Sequence, residues 1–207
     1  MAPSPEMDIV GWVMAELKSL CVYCGSSVGF DPRHQQAARR LGALLAERKI
    51  TLVYGGGRIG LMGVLADAVL AGGGRVVGVI PHHLDLREVG HRGATELHVV
   101  DSMHARKQLM FELSDAFAVL PGGMGTLDET FEILTWRQIG LHDKPLVLVN
   151  LDGYWDPLFD LLHHVVDNGF ASRRTLTLIT VVHQLEDIFE AVSREPEPVV
   201  PCKPERF

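Results

Sequence analysis

No stretch of the 207-residue sequence approaches the ~20 consecutive apolar residues that cross a bilayer, so no membrane span is expected. A secretory leader is not expected either. Glu6 and Asp8 stand where such a leader carries positive charge, and the apolar stretch from Ile9 to Ala15 is short. Positive charge is the scarcer sign overall, with 19 Lys and Arg against 26 Asp and Glu, a formal net charge of −7. Non-specific nucleic-acid binding draws on a basic face and is not expected; a small anion can still be held by backbone amides. Cysteine is sparse, three residues in all, which suits a reducing compartment and a cytoplasmic location. Cys21 and Cys24 spell CxxC, but inside the strand-like LKSLCVYCGSS their side chains point to opposite faces. Cys202 lies in a Pro-rich tail. With no second CxxC, no HExxH among ten histidines, and adjacent pairs His82-His83 and His163-His164 that splay apart, neither a metal site nor a cofactor is expected. No GxxxxGK[ST] occurs, which speaks against a Walker-type triphosphate site.

What is present is alternation. Composition is that of an ordinary globular chain, 47% hydrophobic and 22% charged, and its length suits one core rather than two. Short apolar runs at Leu20 to Tyr23, Thr51 to Tyr54, Val76 to Ile80, Ala116 to Leu120 and Leu146 to Val149 read as strands buried on both faces. Between them lie helical patterns at Pro32 to Arg48, Leu61 to Ala71, Met103 to Ser114, Thr126 to Ile139 and Pro157 to Asp167. Weaker signals mark an extended piece at Glu96 to Val100, a strand at Leu176 to Val182 and a helix at Leu185 to Val192. This order predicts an α/β, three-layer Rossmann-like fold, a mainly parallel sheet with helices on both faces. One catalytic domain is expected over residues 18–193, with an extension at 1–17 and a flexible Pro-rich tail at 194–207.

In such folds ligands sit beyond the carboxyl ends of the strands. The glycines cluster there, in YCGSSVG (with Ser26), YGGGRIG (with Gly56 and Gly57) and LPGGMGT, three loops expected to line one crevice. Gly55, Gly57 and Gly60 spell GxGxxG, but they follow the second strand, and the strand after them ends GVIPHHL without the acid that holds a dinucleotide's ribose. LPGGMGTLDE, Leu120 to Glu129, says more. Gly122, Gly123 and Gly125 leave no side chain in the way of a ligand, and a helix starting near Thr126 aims its unpaired amides at the loop. That is a phosphate pocket built without a basic residue. The plainer reading is a capping box in which Glu129 folds back onto the amide of Thr126. A cap accounts for Thr126 and Glu129 but not for three glycines in four positions. In SMHARKQLM, Arg106 shares a helical stripe with Leu109, Met110 and Leu113, so it either snorkels outward or faces a cleft; Met103 and Lys107 lie beside it.

PGGMGTLDE together with MHARK resembles the signature of the LOG family of cytokinin-activating phosphoribohydrolases, whose pattern is PGGxGTxxE. The similarity runs through VYCGSS, LVYGGGRIGLMG, GVIP and HDKPLVLVN, over roughly residues 18–193. It implies a Rossmann-like homodimer that takes a nucleoside 5′-monophosphate, AMP or an N6-modified AMP, and yields free base and ribose 5-phosphate. The family's essential Arg and Glu fall on Arg106 and Glu129. Substrate contacts fall on Arg106 and Lys107, on Gly123, Met124, Gly125, Thr126, Leu127, Asp128 and Glu129, and on Glu88 and Thr135; Gly122 and the other loop residues named above complete the set. Glu88 lies in HHLDLREVGHRG, a polar stretch expected to form a flap over the base. Cleavage of a ribosyl–base bond passes through an oxocarbenium-like sugar. Glu129 is expected to stabilise that cation, with Asp128, about 100° further round the helix, as second choice. Arg106 holds its proton at any working pH and so stabilises charge rather than acting as an acid. Two rivals remain. One is a carrier that binds a nucleotide or phosphorylated cofactor without chemistry, as molybdenum-cofactor carriers of similar fold do. The other is the older family label, a lysine decarboxylase, which needs pyridoxal phosphate on Lys107 or Lys144.

Overall fold

A computed structural model describes residues 17–85 and 89–193. Of the expectations above, the amino-terminal extension (save Leu17), Glu88 and the Pro-rich tail lie outside the described residues.

Among the described residues, seven strands form one wholly parallel sheet. They are β1 (Ser19–Tyr23), β2 (Thr51–Tyr54), β3 (Val76–Pro81), β4 (Glu96–Val100), β5 (Ala116–Val119), β6 (Leu146–Val149) and β7 (Thr180–Val182). The helices are α1 (Pro32–Glu47), α2 (Gly60–Ala71), the single turn α3 (His82–Asp85), α4 (Met103–Glu112), α5 (Met124–Gln138), α6 (Asp156–Asp167) and α7 (Asp187–Ser193). The strands alternate between two cores, as a two-period chain must. Leu20 and Val22 of β1 join Leu41, Leu45, Leu65 and Ile188 of α1, α2 and α7 on one face. Cys21 and Tyr23 join Met110, Ile133, Leu158 and Leu162 of α4, α5 and α6 on the other. The sheet is therefore the middle of three layers. Cys21 and Cys24 fall in opposite cores, and burial pushes both thiols up, which disfavours the thiolate.

The run Leu176 to Val182 divides. Its first part belongs to a 3₁₀ segment, Arg173–Leu178, and only Thr180–Val182 pairs with β6. α1 begins where Asp31 accepts the amide of Arg33 with Pro32 following, a standard start. No helix among the described residues is long and apolar enough to cross a membrane.

The strand order is β4-β3-β2-β1-β5-β6-β7. The chain winds outward one way from β1 to β4, then returns to β5 beside β1 and winds the other way. Between β1 and β5 the connections leave in opposite directions, and this switch point opens a crevice above the carboxyl ends. The three glycine loops follow β2, β1 and β5, neighbours in the middle of the sheet.

Candidate active site

The loop after β5 is fixed by its carbonyls. The carbonyl of Pro121 accepts from the Gly25 amide at 3.1 Å and that of Gly123 from the Leu127 amide at 3.0 Å. α5 then starts at Met124 with Gly123 as its N-cap and no side-chain cap. The capping box is therefore a correction. Thr126 is the third residue of the helix, its hydroxyl packs on Gly122, and Glu129 lies a full turn too far along to reach back. The first amides of α5 are left without intrahelical partners and face the crevice with the positive end of the helix dipole.

Glu129 points instead to α4. Its Oε1 lies 2.8 Å from Nη2 of Arg106, and the two side chains are only 7% and 10% exposed, so this is a buried pair and not a surface one. Arg106 shares the inner face of α4 with Met110, and the helix is started by Ser102, whose hydroxyl accepts the amide of Ala105. The guanidinium lies against the backbone of Gly55. A Cβ there would stand 2.0 Å from Nη2, so only glycine allows this approach. Gly60, the other end of the GxGxxG, has φ +66° and presses on the Ser26 backbone, while the amide of Leu61 donates to the carbonyl of Gly25. The motif thus locks the loop after β2 onto the loop after β1 and makes room for an arginine.

Burial raises the pKa of Glu129 from its ordinary 4.5, and the nearby Arg106 opposes that rise without cancelling it. Nε of Arg106 is buried without a hydrogen-bond partner among the described residues. Lys107 turns away, to Oδ2 of Asp128 at 3.2 Å and Oε2 of Glu132 at 3.1 Å, and braces α4 against α5 from outside.

A cavity of about 400 Å³ stands over the Arg106–Glu129 pair. Of the residues expected from sequence, Ser26, Gly57, Arg106, Gly123, Met124, Gly125, Thr126 and Glu129 line it. Others stand back from it. Gly56 lies beneath against Ile80, Met103 offers its sulfur to Nη1 of Arg106 at 3.8 Å, and Leu127 packs into the core. Lys107 and Asp128 are paired with each other, Gly122 faces a neighbouring cavity, and Thr135 is exposed further along α5. Cys24, Gly55 and Ile59 of the glycine loops and Leu84 and Val89 of the flap stretch also line the cavity, though not singled out from sequence, and so do Met62 and Ile80. Leu84 and Val89 both belong to the polar stretch HHLDLREVGHRG read as a flap. Its return strand is pinned down: Val89 O accepts from the Arg58 amide at 2.7 Å, the His91 amide donates to Gly56 O at 2.9 Å, and the His91 ring meets Asp67 at 3.0 Å. One end of the cavity is thus charged and the other apolar.

At Gly123 and Gly125 a Cβ would meet nothing within 4 Å, and neither residue has a positive φ. Packing does not require glycine at either place. Both positions open directly onto space in front of the helix.

Over residues 62–192 the chain matches the family described as "Possible lysine decarboxylase". It is 44% identical over 193 residues to the cytokinin riboside 5′-monophosphate phosphoribohydrolase of Rhodococcoides fascians, covering 93% of this chain and 98% of that one. An Arabidopsis thaliana protein of the same activity name is 46% identical over 180 residues, 84% of this chain and 83% of that one. Among solved structures, the Moco carrier protein of Chlamydomonas reinhardtii superposes with a TM-score of 0.63 at 20% identity, over 85% of this chain and 95% of that one, a likeness of fold.

Proposed function

Because the chain belongs to the LOG family, described as "Possible lysine decarboxylase" and containing named phosphoribohydrolases, we propose that it hydrolyses the N-glycosidic bond of adenosine 5′-monophosphates, N6-modified ones included. The products are the free base and ribose 5-phosphate. The observation that carries this reading is a carboxylate, Glu129, buried beside Arg106 one turn above free helix amides and opening onto a cavity of nucleotide size.

The phosphate sits at the N-terminus of α5, on the amides beyond Gly123, where two glycines keep the approach clear. Glu129 is too far along the helix to bind the phosphate and has the wrong charge for it, but it stands where the attached ribose lies. As the C1′–N bond lengthens, positive charge grows on the sugar and electron density moves onto the base. Glu129 stabilises the first, in surroundings dry enough for its charge to count. Arg106 holds Glu129 in place, and its guanidinium borders the cavity as a fixed positive charge. Binding of the phosphate, remote from the reacting bond, orients the sugar against the carboxylate. The apolar end, Ile80, Leu84 and Val89, receives the base.

The decarboxylase label fits poorly with the lysines. Nζ of Lys107 is held by two carboxylates, Lys144 donates to the carbonyl of Phe111 and lies over its ring, and neither lines the cavity. We read the protein as a cytoplasmic homodimer that binds no nucleic acid. Exposed Leu113, Ile139 and Leu141 at the ends of α4 and α5 support a self-association face, and light scattering giving a monomer's mass would refute it.

The activity is tested by incubating the protein with AMP and with N6-isopentenyl-AMP and separating the products by chromatography. Free base together with ribose 5-phosphate is expected. Binding without base release would favour a carrier. The pocket itself is tested at Gly123. A Cβ at Gly123 meets open space, so Gly123→Leu should cost stability little beyond the N-cap preference, about 1 kcal/mol. Affinity for AMP should fall by at least about tenfold, and calorimetry showing unchanged affinity would count against a phosphate at this loop.

A further inference from the structure

Beside the active-site cavity lies a second one of about 470 Å³, which shares Ser26 and Gly123 with it and is bordered by Tyr154. The hydroxyl of Tyr154 donates to the carbonyl of Gly122 at 2.7 Å. This is a long-range contact, from the turn after β6 to the loop after β5. The turn that makes it is built with unusual care. Asn150, 4% exposed, accepts the Trp155 amide at 2.8 Å and donates to Asp156 at 2.7 Å. Its backbone amide donates to Val182 at 2.8 Å. Asp152 and Gly153 both have positive φ, 51° and 75°, and Asp152 is paired with Arg33 at 3.0 Å. A non-glycine residue in the left-handed region persists only where its surroundings over-determine it, and such turns gather at functional sites. The Tyr154 ring is held in addition edge-on by His34 and Trp155, with centroids 5.3 and 4.8 Å away.

The consequence lies in the peptide between Gly122 and Gly123. It is trans, so its carbonyl and its N–H point in opposite directions. With the carbonyl held by Tyr154, the amide of Gly123 is turned away from Tyr154, toward the start of α5. The carbonyls on either side are engaged too, Pro121 by Gly25 and Gly123 by Leu127. Of the three, only the Gly122 carbonyl is held by a side chain. Two adjacent glycines make this the easiest peptide of the loop to rotate, and a flipped peptide would aim a carbonyl oxygen at the anion.

We propose that Tyr154 is a positioning residue for phosphate binding: its hydroxyl sets the Gly122–Gly123 peptide so that the Gly123 amide joins the α5 amides in holding the substrate's phosphate. The proposal rests on the reading of the loop as a phosphate site and extends it to a residue about 30 positions away that touches no substrate. Tyr154→Phe keeps the ring and its two aromatic contacts and removes only the donor.

Calorimetry on wild type and Tyr154→Phe, with inorganic phosphate and adenosine as separate ligands and with AMP in a Glu129→Gln background that does not cleave it, tests it. Losing one amide hydrogen bond to a charged oxygen should weaken AMP and inorganic phosphate by about tenfold. Adenosine should be unaffected. In turnover, KM for AMP should rise by a similar factor, while kcat at saturation stays within roughly twofold, since Arg106 and Glu129 are untouched. AMP affinity equal to wild type overturns the proposal, and so does an equal loss for AMP and adenosine, which would mark a merely structural role. Wild-type protein that binds neither AMP nor phosphate overturns the phosphate loop and the proposal together. Wild-type protein that binds AMP without releasing base defeats the proposed chemistry alone, and the comparison of AMP with adenosine in Tyr154→Phe still decides the role of the tyrosine.

Discussion

Glu129→Gln should abolish useful turnover while leaving AMP bound. Glutamine has the shape of glutamate without its charge, so the cavity and the loop stay as they are. What disappears is the anion beside the sugar when the ribosyl cation forms. Removing a single charge-stabilising group from a preorganised site costs on the order of a hundredfold to a thousandfold in kcat, and here the upper figure applies because the carboxylate is buried and directly paired. The phosphate is held by α5 amides that the substituted side chain does not touch, so AMP affinity should stay within roughly tenfold. A variant with wild-type kcat would remove Glu129 from the mechanism. Glu129→Ala is the less clean experiment. It takes from the buried Arg106 guanidinium both its counter-charge and the hydrogen-bond acceptor that glutamine keeps, and breaking a buried pair in this way costs about 3 kcal/mol.

Arg106→Ala should be the more damaging change, because it acts on chemistry and fold at once. The fold loses a buried partner, again about 3 kcal/mol, which for a chain of this length lowers Tm by roughly 6–12 °C. The chemistry loses the cation that keeps Glu129 ionised, so kcat/KM should drop by roughly a hundredfold or more. The pH dependence carries the specific signature. In the wild type, burial already raises the pKa of Glu129 above 4.5, and Arg106 is the largest influence opposing it. The carboxylate must be ionised to stabilise the ribosyl cation. Activity is therefore present above its pKa and lost as pH falls through it, with the acid limb of kcat/KM lying above the ordinary carboxylate range. Without Arg106 the carboxyl is harder to ionise, so the limb moves to higher pH. An acid limb that stays put in Arg106→Ala would mean that Glu129 is not the group being titrated.

The Leu120 to Glu129 segment marked most of the proposed site in the sequence, because a cap leaves its three glycines unexplained; Gly122 packs on Thr126, whereas at Gly123 and Gly125 the space is open. Strand–helix alternation likewise placed the three glycine loops along one edge, and the β1/β5 switch point shows why they meet. What sequence could not supply was distance. Thr126 and Glu129 have the spacing of a capping box, and nothing local announces that the helix begins two residues earlier or that Glu129 turns to a partner 23 positions upstream. Gly55 looked like one glycine among three, and its reason, the Arg106 guanidinium, comes from another helix. Lys107, adjacent to Arg106, looked equally available for substrate. A residue's turn of about 100° on α4 sends it to Asp128 and Glu132 instead. Leu84 and Val89 escaped notice because they enter the cavity only through the fold-back of the segment onto Gly57. Local chemistry was readable; pairings across elements were not.

The most direct test of the account is a crystal structure of Glu129→Gln soaked with AMP, a variant expected to hold the nucleotide uncleaved. The account predicts the phosphate on the amides at the start of α5, C1′ of the ribose beside the side chain of residue 129, and the base against Ile80, Leu84 and Val89. A phosphate bound elsewhere, or a nucleotide whose ribose faces away from residue 129, would contradict it.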